Sequence, residues 1–174
     1  MAKALRRVAA TLIDYGLVMA YAGVVAAVFV PLYLAGITVI PAVDGLGSRI
    51  LAQVIAAAFL SVPATVWLAS REWSARQATP GKRLLGLKVE TLSGARPSRP
   101  TALARTAFKV LLPWEVAHTM VWDQLAWPKG GFGPRDVALT VAVYGLLGLY
   151  GLTLFLSSGR TPYDRLCGTR VVGG

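Results

Sequence analysis

Three apolar runs dominate the chain: Val8 to Ala35, Ile50 to Ala69 and Val137 to Ser158. Each reaches the roughly 20 residues that a helix needs to cross the hydrocarbon core of a bilayer. Asp14 is the only charge in the first run, and the other two carry none. Lipid offers no hydrogen bonds, so a spanning segment must satisfy its own backbone, which a helix does. Pro31 predicts a kink or an end for the first helix near its far side. A short loop, Gly36 to Ser48, follows, with Pro41 and the turn pair Asp44-Gly45. A fourth stretch, Phe108 to Trp127, is apolar but holds Lys109, Glu115, His118 and Asp123. One central charge costs about 2.5–3.5 kcal/mol on insertion scales, so this stretch can cross only with its polar side against other helices.

Composition agrees. Of 174 residues, 55% are hydrophobic and 15% charged, which excludes a disordered chain and fits a soluble domain badly. The net charge is +10, so the chain is either a membrane protein with basic loops or a nucleic-acid binder. Placement decides between them. The tail before the first run carries +3, the stretch 70–106 carries +6 and the tail 159–174 carries +2, while the other two loops sum to zero and +1. Rich and poor segments alternate if the chain crosses four times, which puts both termini in the cytoplasm by the positive-inside rule. Trp67, Trp73, Trp114, Trp122 and Trp127 fall mostly near proposed span ends, as an aromatic belt requires. The basic charge sorts by membrane side without the basic–aromatic interleaving of a binding surface, so no nucleic-acid partner is expected. The N-terminus resembles a signal-peptide start, but the run behind it is too long and lacks a small-residue cleavage site, which predicts a retained anchor. The single cysteine, Cys167, allows no internal disulfide.

The longest polar segment is 70–106. Thr79, Pro80, Gly81 and Lys82 read as a turn. Leu84 to Glu90 alternates as a short strand, with Ser93-Gly94 offering the turn of a hairpin. Ser98 can cap a helix starting near Pro100, with Arg105 and Lys109 on one face at the lipid headgroups. Gly81-Lys82 is no P-loop, because Arg76 stands where that motif needs glycine and Arg83 where it needs Ser or Thr. Arg71, Arg76, Lys82, Arg83 and Lys88 predict contact with anionic lipid, at about 1 kcal/mol per basic residue; positive-inside topology alone explains them equally well.

Ionisable groups at membrane depth are costly and therefore candidates for function. Asp14 shares a helix face with Arg7. It pairs either with Arg6 or Arg7 by reach or with a basic group from another segment, and it serves either as a packing ion pair or as an ion- or proton-binding carboxylate. Glu115 and His118 are three apart, on one face. A hydrogen-bonded pair holding helices together and a proton relay are both open. A carboxylate di-metal site needs two Glu-x-x-His motifs, and the chain holds one His, so no metal or other cofactor is expected. Gly16, Ala20, Gly23 and Ala27 line one face of the first helix, and Gly145, Gly148 and Gly151 recur in the last; both predict close packing inside one bundle.

Three motifs together resemble the RDD family of bacterial membrane proteins. Arg7-Val-Ala-Ala-Thr-Leu-Ile-Asp14 is similar to the head of that family's first helix. Thr79-Pro-Gly-Lys-Arg-Leu-Leu-Gly-Leu-Lys-Val89 is similar to its cytoplasmic segment, and Asp164-Arg-Leu-Cys-Gly-Thr-Arg-Val171 to its closing motif. Tyr163 stands where the family pattern has His. Lys109-Val-Leu-Leu-Pro-Trp-Glu-Val-Ala-His118 resembles a subset of the family. The resemblance implies a polytopic inner-membrane protein with a suggested role in transport.

The expected fold is all-α and integral to the membrane. It is a single domain over 1–174, a bundle of four transmembrane helices (8–35, 50–69, 108–127, 137–158) with a short, hairpin-like cytoplasmic loop at 70–106 and both termini cytoplasmic. The expected function is transport, ion- or proton-coupled. The alternative is a non-transporting, lipid-binding scaffold or accessory subunit, alone as a homo-oligomer or with a membrane-protein partner. Candidate ion or ligand residues are Arg7, Asp14, Glu115, His118 and Asp164, with Thr79, Pro80, Gly81 and Lys82 as the loop motif. No Gly-x-Ser-x-Gly or His-Glu-x-x-His occurs, so no enzymatic activity is expected.

Overall fold

The computed structural model describes residues 2–37, 45–126, 133–156 and 159–173, and the side chains of all of these but 122–126. The expected turn at Pro41 and Asp44 and the side chains of Trp122, Asp123 and Trp127 lie outside the described residues. Helix α1 is Ala2–Leu34 and α2 is Leu46–Glu72. A short helix α3, Pro80–Leu84, leads into strand β1, Leu87–Thr91. Helix α4 runs over 99–126, α5 is Pro134–Phe155, α6 is Pro162–Leu166, and β2 is Thr169–Gly173. Among the described residues, α1, α2 and α5 are long and apolar enough to cross a membrane. Large apolar side chains such as Val24, Val54, Val141 and Leu152 stand outward on them, as lipid-facing residues should.

Both α2 and α4 contain one π turn, at Ala57–Ser61 and Ala107–Leu111. Pro63 and Pro113 lie two residues beyond these turns and explain them. A proline has no N–H for the preceding turn, and its ring crowds the carbonyls there, so the helix widens locally. Neighbouring tyrosines satisfy carbonyls in the widened turns. The Tyr21 hydroxyl of α1 donates to Phe59 O, and that of Tyr150 of α5 donates to Phe108 O at 2.6 Å.

The expected hairpin does not form. β1 pairs antiparallel with β2 from the C-terminal tail, in the register Leu87↔Gly173 through Thr91↔Thr169. The reason is an internal repeat. Residues 79–89 and 161–171 share Thr, Pro, Arg, Leu, Gly and Val at equal spacing. Each folds as a proline-started helical turn, a glycine at positive φ (Gly86 at 57°, Gly168 at 60°) and a strand. The equivalent residues Val89 and Val171 face each other in the register, so a local two-fold axis passes between them. Each strand is too short to be stable alone, and the copy supplies its partner. Leu87, Val89 and Val171 pack on Ala10 of α1, while a second core of Val18, Ala64, Leu68 and Val110 joins α1, α2 and α4.

The glycine faces behave differently from expectation. A Cβ built at Gly16, Gly23, Gly145, Gly148 or Gly151 would meet nothing within 4 Å. Among the described residues, these glycines do not bring helices together. The close packing falls instead on the stripe Ala4, Arg7, Ala10, Asp14 and Val18, which faces the rest of the protein.

Candidate functional site

The buried stripe of α1 carries two charges seven residues apart, and each meets one copy of the repeat. Asp14 accepts hydrogen bonds from the Thr79 hydroxyl at 2.6 Å and the Gly81 N–H at 2.8 Å. It thus caps the start of α3. At the other end of α3, the Arg6 guanidinium donates to the carbonyls of Leu85 and Gly86. An anion at the helix start and a cation at its end both oppose the helix dipole. The loop motif acquires a physical account from this. Thr79 supplies the hydroxyl and Pro80 starts the helix. Gly81 is required because a Cβ there would lie 2.1 Å from Ala10 O. The pairing of Asp14 with Arg6 or Arg7 by reach is not found: its hydrogen-bond partners are neutral donors of the loop motif, and the cations its charge favours are Lys109 and Lys82 of other segments. Arg7 turns instead to the second copy, donating to Gly159 O and to Asp164 at 2.6 Å.

From Asp164 an alternating chain of charges runs through the protein. Arg105 forks between Asp164, at 2.8 Å, and both oxygens of Glu72, each at 2.7 Å. Lys82 meets Glu72 at 2.7 Å. The order is Lys82, Glu72, Arg105, Asp164, Arg7. Lys82 and Asp164 occupy the same position in the two repeats, and they end or join the chain with opposite charge. Arg105, Glu72 and Asp164 are each at most 1% exposed. Arg105 is therefore no headgroup residue, as its sequence position had implied. Lys82, 5% exposed, is equally withdrawn from lipid. The guanidinium of Arg105 also lies over the Tyr163 ring, 5.2 Å from its centroid. That is the place taken by the residue that departs from the family pattern.

The charges hold one another. Burial alone would raise the Asp164 carboxyl, but Arg105 and Arg7 outweigh it and keep it well below the carboxylate range. Burial would likewise lower the Arg105 pKa, yet Glu72 and Asp164 hold it above the usual value. Burial pulls the Lys82 ammonium down to about 8 against the attraction of Glu72. Burial also raises the Cys167 thiol. A depressed folded-state pKa at Asp164 adds stability above the unfolded value of about 3.9, and that stability is lost as pH falls. Thermal unfolding in detergent should therefore show a melting temperature that drops below about pH 4, with a shallower drop in Asp164→Asn.

Glu115 and His118 sit elsewhere. Glu115 lies ten residues beyond Arg105, about 15 Å further along α4. Its carboxylate accepts from the Ser61 hydroxyl and from Gln53 Nε2 at 3.0 Å, both on α2. Thr119 donates to Gln53 Oε1 at 3.1 Å and closes the group. No arginine or lysine pairs with Glu115 among the described residues. His118 Nε2 accepts from Trp114 Nε1 at 2.9 Å. The five candidate residues thus fall into two regions: Arg7, Asp14 and Asp164 with the loop motif at the polar end, and Glu115 with His118 deeper in the helices. Sequence reasoning passed over Glu72 and Arg105, the centre of the charged chain. The repeat of Thr-Pro-x-x-Arg-Leu was the available signal, since two copies on one surface demand a common anchor.

The comparisons with known proteins add one result. No curated protein and no solved structure matches the chain. The model of the RDD family matches residues 1–168, nearly the whole length. With three helices long and apolar enough to span a bilayer, the chain is a membrane protein and belongs to the RDD family.

Proposed function

We propose that the protein is an ion- or proton-coupled transporter of the bacterial cytoplasmic membrane. In this reading 108–127 is the fourth crossing, both termini are cytoplasmic, and the exposed Arg71, Arg76 and Arg83 meet anionic lipid. The observation that carries the reading is Glu115. A carboxylate in the helical region held by Ser61 and Gln53, with no lysine or arginine paired to it among the described residues, can gain or lose a proton or a cation without breaking a salt bridge to a lysine or arginine. It bridges α2 and α4, each next to a π turn, and π turns occur frequently at functional sites. The charged chain at the polar end then acts as a fixed anchor, since its carboxylates are all compensated. In proteoliposomes loaded with a pH-sensitive dye, Glu115→Gln should slow the decay of an imposed pH gradient at least tenfold while its melting temperature stays near that of the parent. Unchanged decay would sink the assignment. A second reading, a scaffold that assembles with another membrane protein, draws support from the glycines of α1 and α5, where an added Cβ would meet no described atom within 4 Å. Crosslinking in native membranes that captures a partner at these faces, together with unchanged flux in Glu115→Gln, would favour it.

A further inference from the structure

Of the residue types that the two repeats share, Thr, Pro, Gly and Val have an account inside the protein. Thr79 and Thr161 stand at the starts of α3 and α6, and Pro80 and Pro162 begin those helices. Gly86 and Gly168 take positive φ, and Val89 faces Val171 in the register. The shared Arg and Leu have no such account. Arg83 and Arg165 are exposed, and Arg165 keeps one bond, from Nε to Arg160 O at 3.3 Å. Leu84 and Leu166 are 74% and 71% exposed, as open as the outward Leu152 of α5 at 71%. Among the described residues outside α1, α2, α4 and α5, no large apolar side chain is more exposed than these two. One exposed leucine needs no explanation. Here the same outward pair occurs twice, while the buried residues beside it differ: Gly81 and Lys82 in one copy, Tyr163 and Asp164 in the other. Internal packing does not explain why both copies carry Arg-Leu, so a contact outside the chain does.

The position of the pairs along α1 names the partner. Arg6 donates to the carbonyl of Leu85, the residue after Leu84, and Arg7 donates to the side chain of Asp164, two residues before Leu166. Both pairs thus lie within an arginine's reach of the point where the apolar run of α1 begins, at Val8. The outward residues of α1 on either side of that point, Leu5 and Leu12, are 57% and 66% exposed, so the lipid-facing surface continues to this height. Hydrocarbon gives way to headgroups there. A leucine at that height enters the acyl layer, while the guanidinium next to it stays with the phosphates, whose geometry it matches. We infer that Arg83-Leu84 and Arg165-Leu166 are a pair of membrane anchors, one from each repeat. Each sets its leucine into the leaflet at the polar end of the molecule and its arginine on an anionic lipid phosphate. The inference rests on the lipid contact given above to Arg83 and extends it to the leucines and to the second repeat; it does not depend on transport or on Glu115.

The test uses the full-length protein in vesicles of phosphatidylcholine and phosphatidylglycerol, with Cys167→Ser as background. Leu84→Cys and Leu166→Cys each carry a nitroxide. Leu152→Cys, outward on α5, and Ser93→Cys, in an exposed turn, are the references. Oxygen partitions into the bilayer and a nickel chelate into water. The ratio of oxygen to nickel relaxation at 84 and at 166 should be at least threefold higher than at 93 and approach that at 152. A smaller ratio at either site would overturn the anchors. Low accessibility to both agents would mean that a protein or a second copy covers the site, and would overturn lipid as the partner. A second measurement addresses the arginines. In detergent, phosphatidylglycerol should raise the melting temperature more than phosphatidylcholine does, and Arg83→Gln, Arg165→Gln should lose at least half of that difference. An undiminished difference would overturn the arginine contact. Loss confined to Arg71→Gln, Arg76→Gln would leave the loop contact proposed above standing and overturn the anchors alone, whereas no difference in the parent would overturn both.

Discussion

Arg105→Met should destabilise the protein by about 3–5 kcal/mol, the usual cost of removing one partner from a buried ion pair. The substitution leaves Glu72 with Lys82 alone and Asp164 with Arg7 alone, both fully enclosed. It also cuts the ion-pair link that joins the end of α2, the start of α4 and the second repeat. Unfolding in detergent by denaturant or heat measures the loss. Arg105→Lys should recover only part of it, because a single ammonium cannot reach both carboxylates as the guanidinium fork does. The triple variant Glu72→Gln, Arg105→Met, Asp164→Asn should be less stable than Arg105→Met, since Lys82 and Arg7 then stay buried with no carboxylate. A neutral Arg105→Met would show that the chain of ion pairs does not hold the helices together.

Gly81→Ala should undock the loop motif from α1. Its added Cβ would lie 2.1 Å from Ala10 O and 3.0 Å from the Asp14 carboxylate. The obstacle at Ala10 is backbone in the middle of a helix, so it cannot swing aside as a side chain would. Overpacking of this kind costs about 1–3 kcal/mol, and here it also breaks both hydrogen bonds of Asp14. The readout is limited trypsin digestion, which should cut at Arg76 and Arg83 faster in the variant. Gly148→Ala, where an added Cβ meets nothing within 4 Å, is the control and should digest as the parent does. Equal digestion of Gly81→Ala would mean that α3 is not seated on α1 as described.

The same residues show how far the sequence could be read. The apolar runs became α1, α2 and α5 because lipid acts on each residue separately, and a helix satisfies itself locally. Ser98 caps α4 as its residue type predicts, accepting from the Thr101 N–H. Pairings were less legible. Leu84 to Glu90 reads as one arm of a hairpin because Ser93-Gly94 lies nearby, yet the true partner begins at Thr169. The repeat that joins them is visible in the chain at a separation of 82 residues, but helices with stronger signals lie between its copies. Arg105 looked like a surface residue because a helix face rich in basic groups usually meets water or headgroups. Two carboxylates from distant segments, Glu72 and Asp164, converge on it instead.

What the sequence determined by itself was the membrane, the long helices, the family and the basic character of one end of the molecule. These follow from hydropathy, periodicity and motif spacing, which are properties of single segments. The tertiary structure decided which charge meets which: that Asp14 caps the loop motif and that Arg7 belongs to Asp164. Ion pairs and strand registers depend on distances of a few ångströms between segments far apart in the chain, and no local pattern encodes those distances.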